Sequence, residues 1–352
     1  MIDKKNFSKT HIESCHKKYP KVNITSLEMT IYAFGLLDVL VRNNVDFIFK
    51  GGTSLMLLLK KPKRVSTDID IIVKKGTDFD KLFKKIRTEF PFFDGEERGK
   101  KSKKKEFRHF LFAFKGPISN HECHINLDVA FESNPYSKLL KRDLKTDFLS
   151  TTGKTTTVNI PSIESILGDK LTAFAPNTIG VNPFKTSLGS PIDNRLQVIK
   201  QFYDIATLYK EAKDYKAIKS SYKKCYIFEN NFRKTKYTIE ETLLDTFNSA
   251  ASIASGGKWI NDSDFFNNVA KAGIQGLATN VFDGKYNQVV AANDAADIML
   301  LSACLIANKN PFINNINDKN CDQRLLRCFK TIQSKEAFIK IKKSLSLIHN
   351  IL

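Results

Sequence analysis

The stretch Phe47 to Val73, FIFKGGTSLMLLLKKPKRVSTDIDIIV, admits few folds. Phe47, Ile48 and Phe49 form an apolar run that stops at Lys50, Gly51 and Gly52. That is the pattern of a buried strand breaking into a turn that only glycine enters without steric cost. Thr53 or Ser54 can then cap a helix over Leu55 to Leu59, and a helix start offers unpaired N–H groups to a phosphate. Pro62 ends the helix, and a basic loop with Lys60, Lys61, Lys63 and Arg64 leads to Thr67-Asp68-Ile69-Asp70-Ile71-Ile72-Val73. Because a strand has a period of two, Asp68 and Asp70 project from one face while Ile69, Ile71 and Val73 project from the other.

Two carboxylates on one face beside a phosphate-sized turn suit a particular chemistry. Hard divalent cations such as Mg²⁺ or Mn²⁺ take oxygen ligands, and two ions about 3.5–4 Å apart can hold the attacking and leaving oxygens of a phosphoryl transfer. Taken on its residues alone, the stretch also admits an amphipathic strand with solvated aspartates after an ordinary glycine turn.

The other motifs are arranged around this stretch. Ahead of it, Met29, Tyr32, Ala33, Leu36, Leu37 and Leu40 recur at helical spacing, with Ser26 as a candidate cap. After it, Asp78 to Phe90 alternates charge with Phe79, Leu82, Phe83 and Ile86, the pattern of a surface helix. Glu96 to Gly99 lead into the basic block Lys100 to Lys105, which reads as a loop or hairpin tip that could also touch nucleic acid. Phe107 to Lys115 and Cys123 to Glu132 read as adjacent strands. In the second, Asp128 shares a face with Asn126 and Ala130, opposite Ile125, Leu127 and Val129. His121 and His124, three apart on a strand, fall on opposite faces and make no zinc pair.

From Val158 the pattern turns helical. Ser162 is a candidate cap for SIESILGDKLTAFA, where Lys170 lies in or beside an apolar stripe that it could leave by snorkelling. Asn177 to Asp193 reads as a loop, and Arg195 to Tyr209 as a helix carrying Lys200, Gln201, Tyr203 and Asp204. Helical patterns continue through Glu240 to Ala254, Phe265 to Ala270, Asn287 to Ala307 and Lys335 to Leu352.

At 352 residues the chain is long enough for one large domain or two ordinary ones, and 42% hydrophobic residues can fill a core. Its net charge of +19 points to an anionic partner, most naturally nucleic acid, or else to a solvated lysine-rich surface. No long uninterrupted apolar span or basic amphipathic terminus stands out, so no membrane role is expected. The six cysteines show no repeated CxxC spacing, and the first twenty residues lack the apolar centre of a secretory signal. A cytoplasmic protein with reduced thiols is the expectation.

Gly-Gly-Thr-Ser, a short helix and an apolar-flanked Asp-x-Asp, in that order, resemble the signature of the DNA polymerase β-like nucleotidyltransferase superfamily. Within it, KGGTSL followed by RVSTDIDI is most similar to the AbiEii/AbiGii toxin nucleotidyltransferases of bacterial abortive-infection (phage-defence) and toxin-antitoxin systems. The resemblance implies an α/β (α+β) fold. A small mixed sheet would form a nucleotidyltransferase core over residues 1–157, and a mainly helical region over 158–352 would complete the nucleotide and acceptor cleft. It further implies that Asp68, Asp70 and Asp128 hold Mg²⁺, with Asp128 also activating the acceptor hydroxyl. Lys50, Gly51, Gly52, Thr53, Ser54 and Arg64 would bind the nucleoside triphosphate.

GDKLTAF resembles the family's helical K-L-x-A motif, which would turn Lys170 toward the nucleotide phosphates. KQFYDI resembles its R-D-L-Y-D-L segment, which brings in Asp204; Gln201 departs from the acid common there, so no role carries over to it. The implied acceptor is RNA, plausibly tRNA, and the implied partner a cognate antitoxin. Two alternatives stay open: a nucleotidyltransferase that modifies a protein or small molecule, and a non-catalytic nucleic-acid-binding module.

Overall fold

The apolar run at Phe47 and the alternating run at Ile69 become neighbouring strands near the middle of a mixed sheet. A computed structural model describes all residues except 99–105, 188, 189, 314, 315, 317, 319, 320 and 352. The basic block Lys100 to Lys105 therefore lies outside the described residues. The strands β1 (Ile48–Lys50), β2 (Ile69–Val73), β3 (Asp94–Arg98), β4 (Phe107–Lys115), β5 (Glu122–Phe131), β6 (Leu139–Asp143) and β7 (Thr157–Pro161) form a seven-stranded sheet in the order β3-β4-β5-β2-β1-β7-β6. β1 runs antiparallel to β2 and parallel to β7, and β2 runs parallel to β5. A parallel neighbour requires a crossover, and residues 74–121 supply it with the helix Phe79–Ile86 and the hairpin of β3 and β4.

Two compact units make up the chain. The first is Met1–Ser162 with Thr279–Gly284, and the second is Ile163–Ala278 with Lys285–Leu352. In the first, α1 (Lys9–Lys18), α2 (Ile24–Arg42), α3 (Gly51–Leu58) and α4 (Phe79–Ile86) accompany the sheet. α2 is buried through most of its length, and its Tyr32 ring stacks on Phe114 of β4 at 3.7 Å between centroids. Burial obliges its acids to find donors. Glu28 accepts from the N–H groups of Ile118 (2.7 Å) and Ser119 (3.1 Å) in the β4–β5 turn, while Asp38 accepts from Thr156 Oγ1 at 2.7 Å. The helix is capped by Asn23, whose Oδ1 accepts from Ser26 N at 3.0 Å; the cap expected at Ser26 is corrected.

The second unit is mainly helical: α5 (Ile163–Ala173), α6 (Arg195–Tyr209), α7 (Tyr215–Arg233), α8 (Ile239–Ser255), α9 (Ser263–Phe265) running through a π turn into α10 (Lys271–Ala278), α11 (Gln288–Ile306), α12 (Gln323–Leu326) and α13 (Lys335–Leu347). α5 and α7 meet closely at Gly168, where a Cβ would lie 2.6 Å from Tyr222 N and 2.7 Å from Ile218 O.

Several expected boundaries are corrected. Thr157 to Pro161 form β7, so helix begins at Ile163. Part of the expected loop 177–193 is the hairpin of β8 (Phe184–Ser187) and β9 (Ser190–Asp193). In each case a cross-strand partner supplies hydrogen bonds that local sequence does not announce. The apolar spans also need correction, because α2 and α11 are each long and apolar enough to cross a membrane. Yet 72% of each apolar window is buried inside the fold, as expected of core helices.

Candidate functional site

Register brings the acids together in the first unit. Asp70 of β2 is the register partner of Asp128 on the parallel strand β5 and of Lys50 on the antiparallel strand β1. Side chains of register partners leave the sheet on the same side, so Asp70 stands between a second carboxylate and a cation. Asp68, two residues before Asp70, shares that side, and its Oδ1 accepts from Asn126 Nδ2 at 2.8 Å. Leu127, between Asn126 and Asp128, is fully buried on the other side together with Ile69. Asp128 is 37% exposed, and its Oδ1 lies 2.7 Å from His109 Nδ1, the residue opposite it on β4.

The glycine turn is shaped by these same side chains. Gly51 has φ +77°, and a Cβ there would lie 1.9 Å from Asp70 Oδ2. Gly52 is confined differently, since its Cβ would lie 2.6 Å from Arg64 Nη2 and 2.9 Å from Ser66 Oγ. One glycine thus makes room for the carboxylate and the other for the guanidinium. Arg64 is buried, donates to Val65 O at 3.0 Å, and bridges Val281 of the segment that returns to this unit.

Helix α3 begins at Gly51, earlier than expected. Its N-cap is Lys50, which makes no side-chain capping bond, so no cap competes for the N–H groups of the first turn. Thr53 and Ser54 are fully buried inside the helix and cap nothing. Thr53 Oγ1 donates to Asp68 O at 2.6 Å, tying the helix to the start of β2, and Ser54 Oγ donates to Gly51 O at 2.8 Å.

Lys170 and Asp204 belong to the second unit, where they meet. Lys170 Nζ on α5 lies 3.1 Å from Asp204 Oδ2 and donates to Gln201 Oε1 at 2.7 Å, both on α6. The two side chains are 8% and 2% exposed. Lys170 does not snorkel, because its charge is met inside the helical unit. Turning it toward phosphate would mean leaving these partners. Gln201, to which no role was carried over, is one of them.

Among the described residues, no three His, Cys, Asp or Glu side chains are arranged to hold an ion. The donor chemistry of Asp68, Asp70 and Asp128 nevertheless fits a hard cation: carboxylate oxygens on one side of adjacent strands. Asp68 and Asp128 are turned to Asn126 and His109.

Residues 36–259 match the family described as nucleotidyl transferase AbiEii toxin, type IV TA system. The chain belongs to the AbiEii toxin family. It is accordingly a nucleotidyltransferase of a toxin-antitoxin system, which implies an antitoxin partner. The AbiEii match takes in the glycine turn, the aspartates of β2 and β5, and the Lys170–Asp204 pair, and ends at Trp259. No curated protein matches the chain.

Solved structures similar to it include JHP933 from Helicobacter pylori, at 13% identity over 82% of this chain and 96% of that one, with a TM-score of 0.43. An antigenic nucleotidyltransferase-like protein from Paracoccidioides brasiliensis is 15% identical over 59% of this chain and 89% of that one, with a TM-score of 0.38. Within the AbiEii frame, the residues that sequence reasoning left without a role are His109, Asn126 and Gln201. A signal was available for Asn126 alone, which the period of two places beside Asp128.

Proposed function

We propose that the chain transfers a nucleotide from a nucleoside triphosphate to an RNA hydroxyl, such as that of a tRNA end, in the cytoplasm. The observation that carries the reading is the register of Asp70 with Asp128 and Lys50, beside a glycine turn whose first Cβ position is filled by the Asp70 carboxylate. The first-turn N–H groups of α3, with no side-chain cap, are suited to the triphosphate, and Lys50 and Arg64 add positive charge around the turn. Asp68, Asp70 and Asp128 would hold Mg²⁺ or Mn²⁺, which when bound supplies charge neutralisation and orientation at the transferring phosphorus.

The chain's own residues do the rest. Asp128 accepts the proton of the attacking hydroxyl at a carboxylate oxygen while His109 holds the carboxylate in place. Asn126 fixes Asp68 in the same manner. The hydroxyl oxygen bonds to the α-phosphorus, the bond to the bridging oxygen breaks, and pyrophosphate leaves. In the second unit, Asp204 and Gln201 hold Lys170, so a phosphate would have to compete with them for the ammonium. The net charge of +19 supports RNA as the acceptor.

The test incubates the protein with each α-labelled nucleoside triphosphate, Mg²⁺ or Mn²⁺ and total cellular RNA. We expect label on RNA, and a loss of at least about a hundredfold in Asp70→Asn with its melting temperature preserved. Label on a protein or small molecule would remove RNA as the acceptor. Near-normal transfer by Asp70→Asn would remove the site.

A further inference from the structure

Buried acids of the second unit select particular lysines. Lys210 Nζ lies 2.5 Å from Asp294 Oδ1, and Lys340 Nζ lies 2.6 Å from Asp297 Oδ1. Helix α7 is different. Lys216, Lys219, Lys223 and Lys224 are exposed, and among the described residues none of them makes an ion pair; Lys219 donates to Asn308 Oδ1 at 2.6 Å. Their spacing sets them on one face over about 12 Å of helix. Like charges three and four residues apart weaken a helix, so this face costs the helix stability. The opposite face supplies the compensation: Ile218, Ser221, Tyr222 and Cys225 are buried, and Gly168 of α5 admits the α7 backbone.

At the C-terminal end of the same helix the surface changes character. Ile227 and Phe232 are 47% and 45% exposed, and the rings of Phe228 and Phe232 lie parallel within 3° with centroids 6.3 Å apart. The helix's one acid, Glu229, is taken by Arg233 at 3.1 Å. Lys234 ends the helix in the left-handed conformation, and Lys236 follows, both exposed. Lys216, Lys224, Phe228 and Phe232 lie on one row of residues four apart that winds round the helix from the lysine face to an exposed aromatic ring, a path that fits a polyanion carrying flat bases. A membrane surface would instead favour apolar residues interleaved with the lysines, and between Lys216 and Lys224 the exposed residue other than lysine is Ser220.

We propose that the outward face of α7 binds the backbone of an RNA strand that follows this row round the helix and stacks an unpaired base on Phe232. The proposal rests on the RNA reading above and gives it a surface. α7 packs against α5, the helix that carries Lys170, so the surface belongs to the same unit as that pair.

Two measurements on the full chain separate the surface from the acceptor. Binding of a labelled single-stranded RNA is followed across KCl concentrations by fluorescence anisotropy, and transfer of labelled nucleotide to RNA is followed in parallel. In the variant Lys216→Gln/Lys219→Gln/Lys223→Gln/Lys224→Gln, the slope of log K against log salt should become shallower by about 3, from four contacts at about 0.7 each. Its melting temperature should be unchanged or higher, because repulsion is relieved. Phe232→Ala should weaken binding about tenfold with the slope unchanged.

Unchanged affinity and slope in the quadruple variant would overturn the surface even if RNA is labelled normally. Lysine-dependent binding to phosphatidylserine vesicles with RNA binding intact would also overturn it. If the wild type binds RNA through these lysines but transfers nothing to it, the surface stands and the acceptor reading falls. If it binds no RNA, both fall.

Discussion

Gly51 is constrained twice, by a φ of +77° and by the Asp70 carboxylate in the place a Cβ would take. Gly51→Ala should therefore cost about 2 kcal/mol or more, since left-handed backbone alone costs a side-chain-bearing residue roughly 1–2 kcal/mol. Urea unfolding measures it, and an unchanged midpoint would mean that Asp70 moves aside and the turn leaves the left-handed region, both without cost. Lys170 illustrates a different constraint. Removing one partner of a buried ion pair leaves the other charge stranded, at a cost of about 3–5 kcal/mol. We expect Lys170→Ala to destabilise by about 3 kcal/mol, and the Lys170→Ala/Asp204→Asn double variant to lose clearly less than the two single losses together. Additive losses in that cycle would show that the 3.1 Å contact carries no coupling.

At the scale of elements, α8 secures the segment after α5 through one carboxylate. Asp245 accepts from Asn177 N and Nδ2, both at 2.9 Å, and from Thr178 Oγ1 at 2.8 Å. Burial outweighs these bonds and pushes its pKa up to about 6. A carboxyl raised above its unfolded value of 3.8 binds a proton more readily in the folded state, so its contribution is fully present below about pH 4 and is lost as pH rises through about 6. Relative to Asp245→Ala, wild-type stability should thus fall by about 2–3 kcal/mol between pH 4 and pH 7. Denaturant unfolding of both proteins at the two pH values decides it; a constant difference would mean that folding leaves the Asp245 pKa at its unfolded value. The other elements differ in how plainly they could be read. α6 and β4 coincide with their expected spans because long periodic runs announce themselves. β3 and β6 are short and pair with strands further along the chain, and the β8–β9 hairpin has strands of only four residues.

For the whole molecule, the first unit is not continuous in sequence. Val65 N donates to Asn280 O at 2.8 Å and Phe282 N to Lys63 O at 3.0 Å, holding the loop from which Arg64 reaches Gly52. A fragment ending at Ser162 lacks Thr279–Gly284, and we expect it to melt at least several degrees below the first transition of the full chain. Equal melting by calorimetry would make the returning segment dispensable. The sequence by itself determined what depends on local periodicity and steric freedom: a strand stopping at glycine, a φ only glycine takes cheaply, and Asp68 and Asp70 on one side of β2. Its motif order also pointed to the family. Tertiary structure alone decided what depends on register and burial. Asp128 meets Asp70 because β5 aligns with β2 in that register and no other, and a shift of one residue would send its carboxylate to the buried side. Lys170 sits in an apolar stripe whether it snorkels or stays inside, and only the arrival of Asp204 and Gln201 from another helix keeps its charge within the fold.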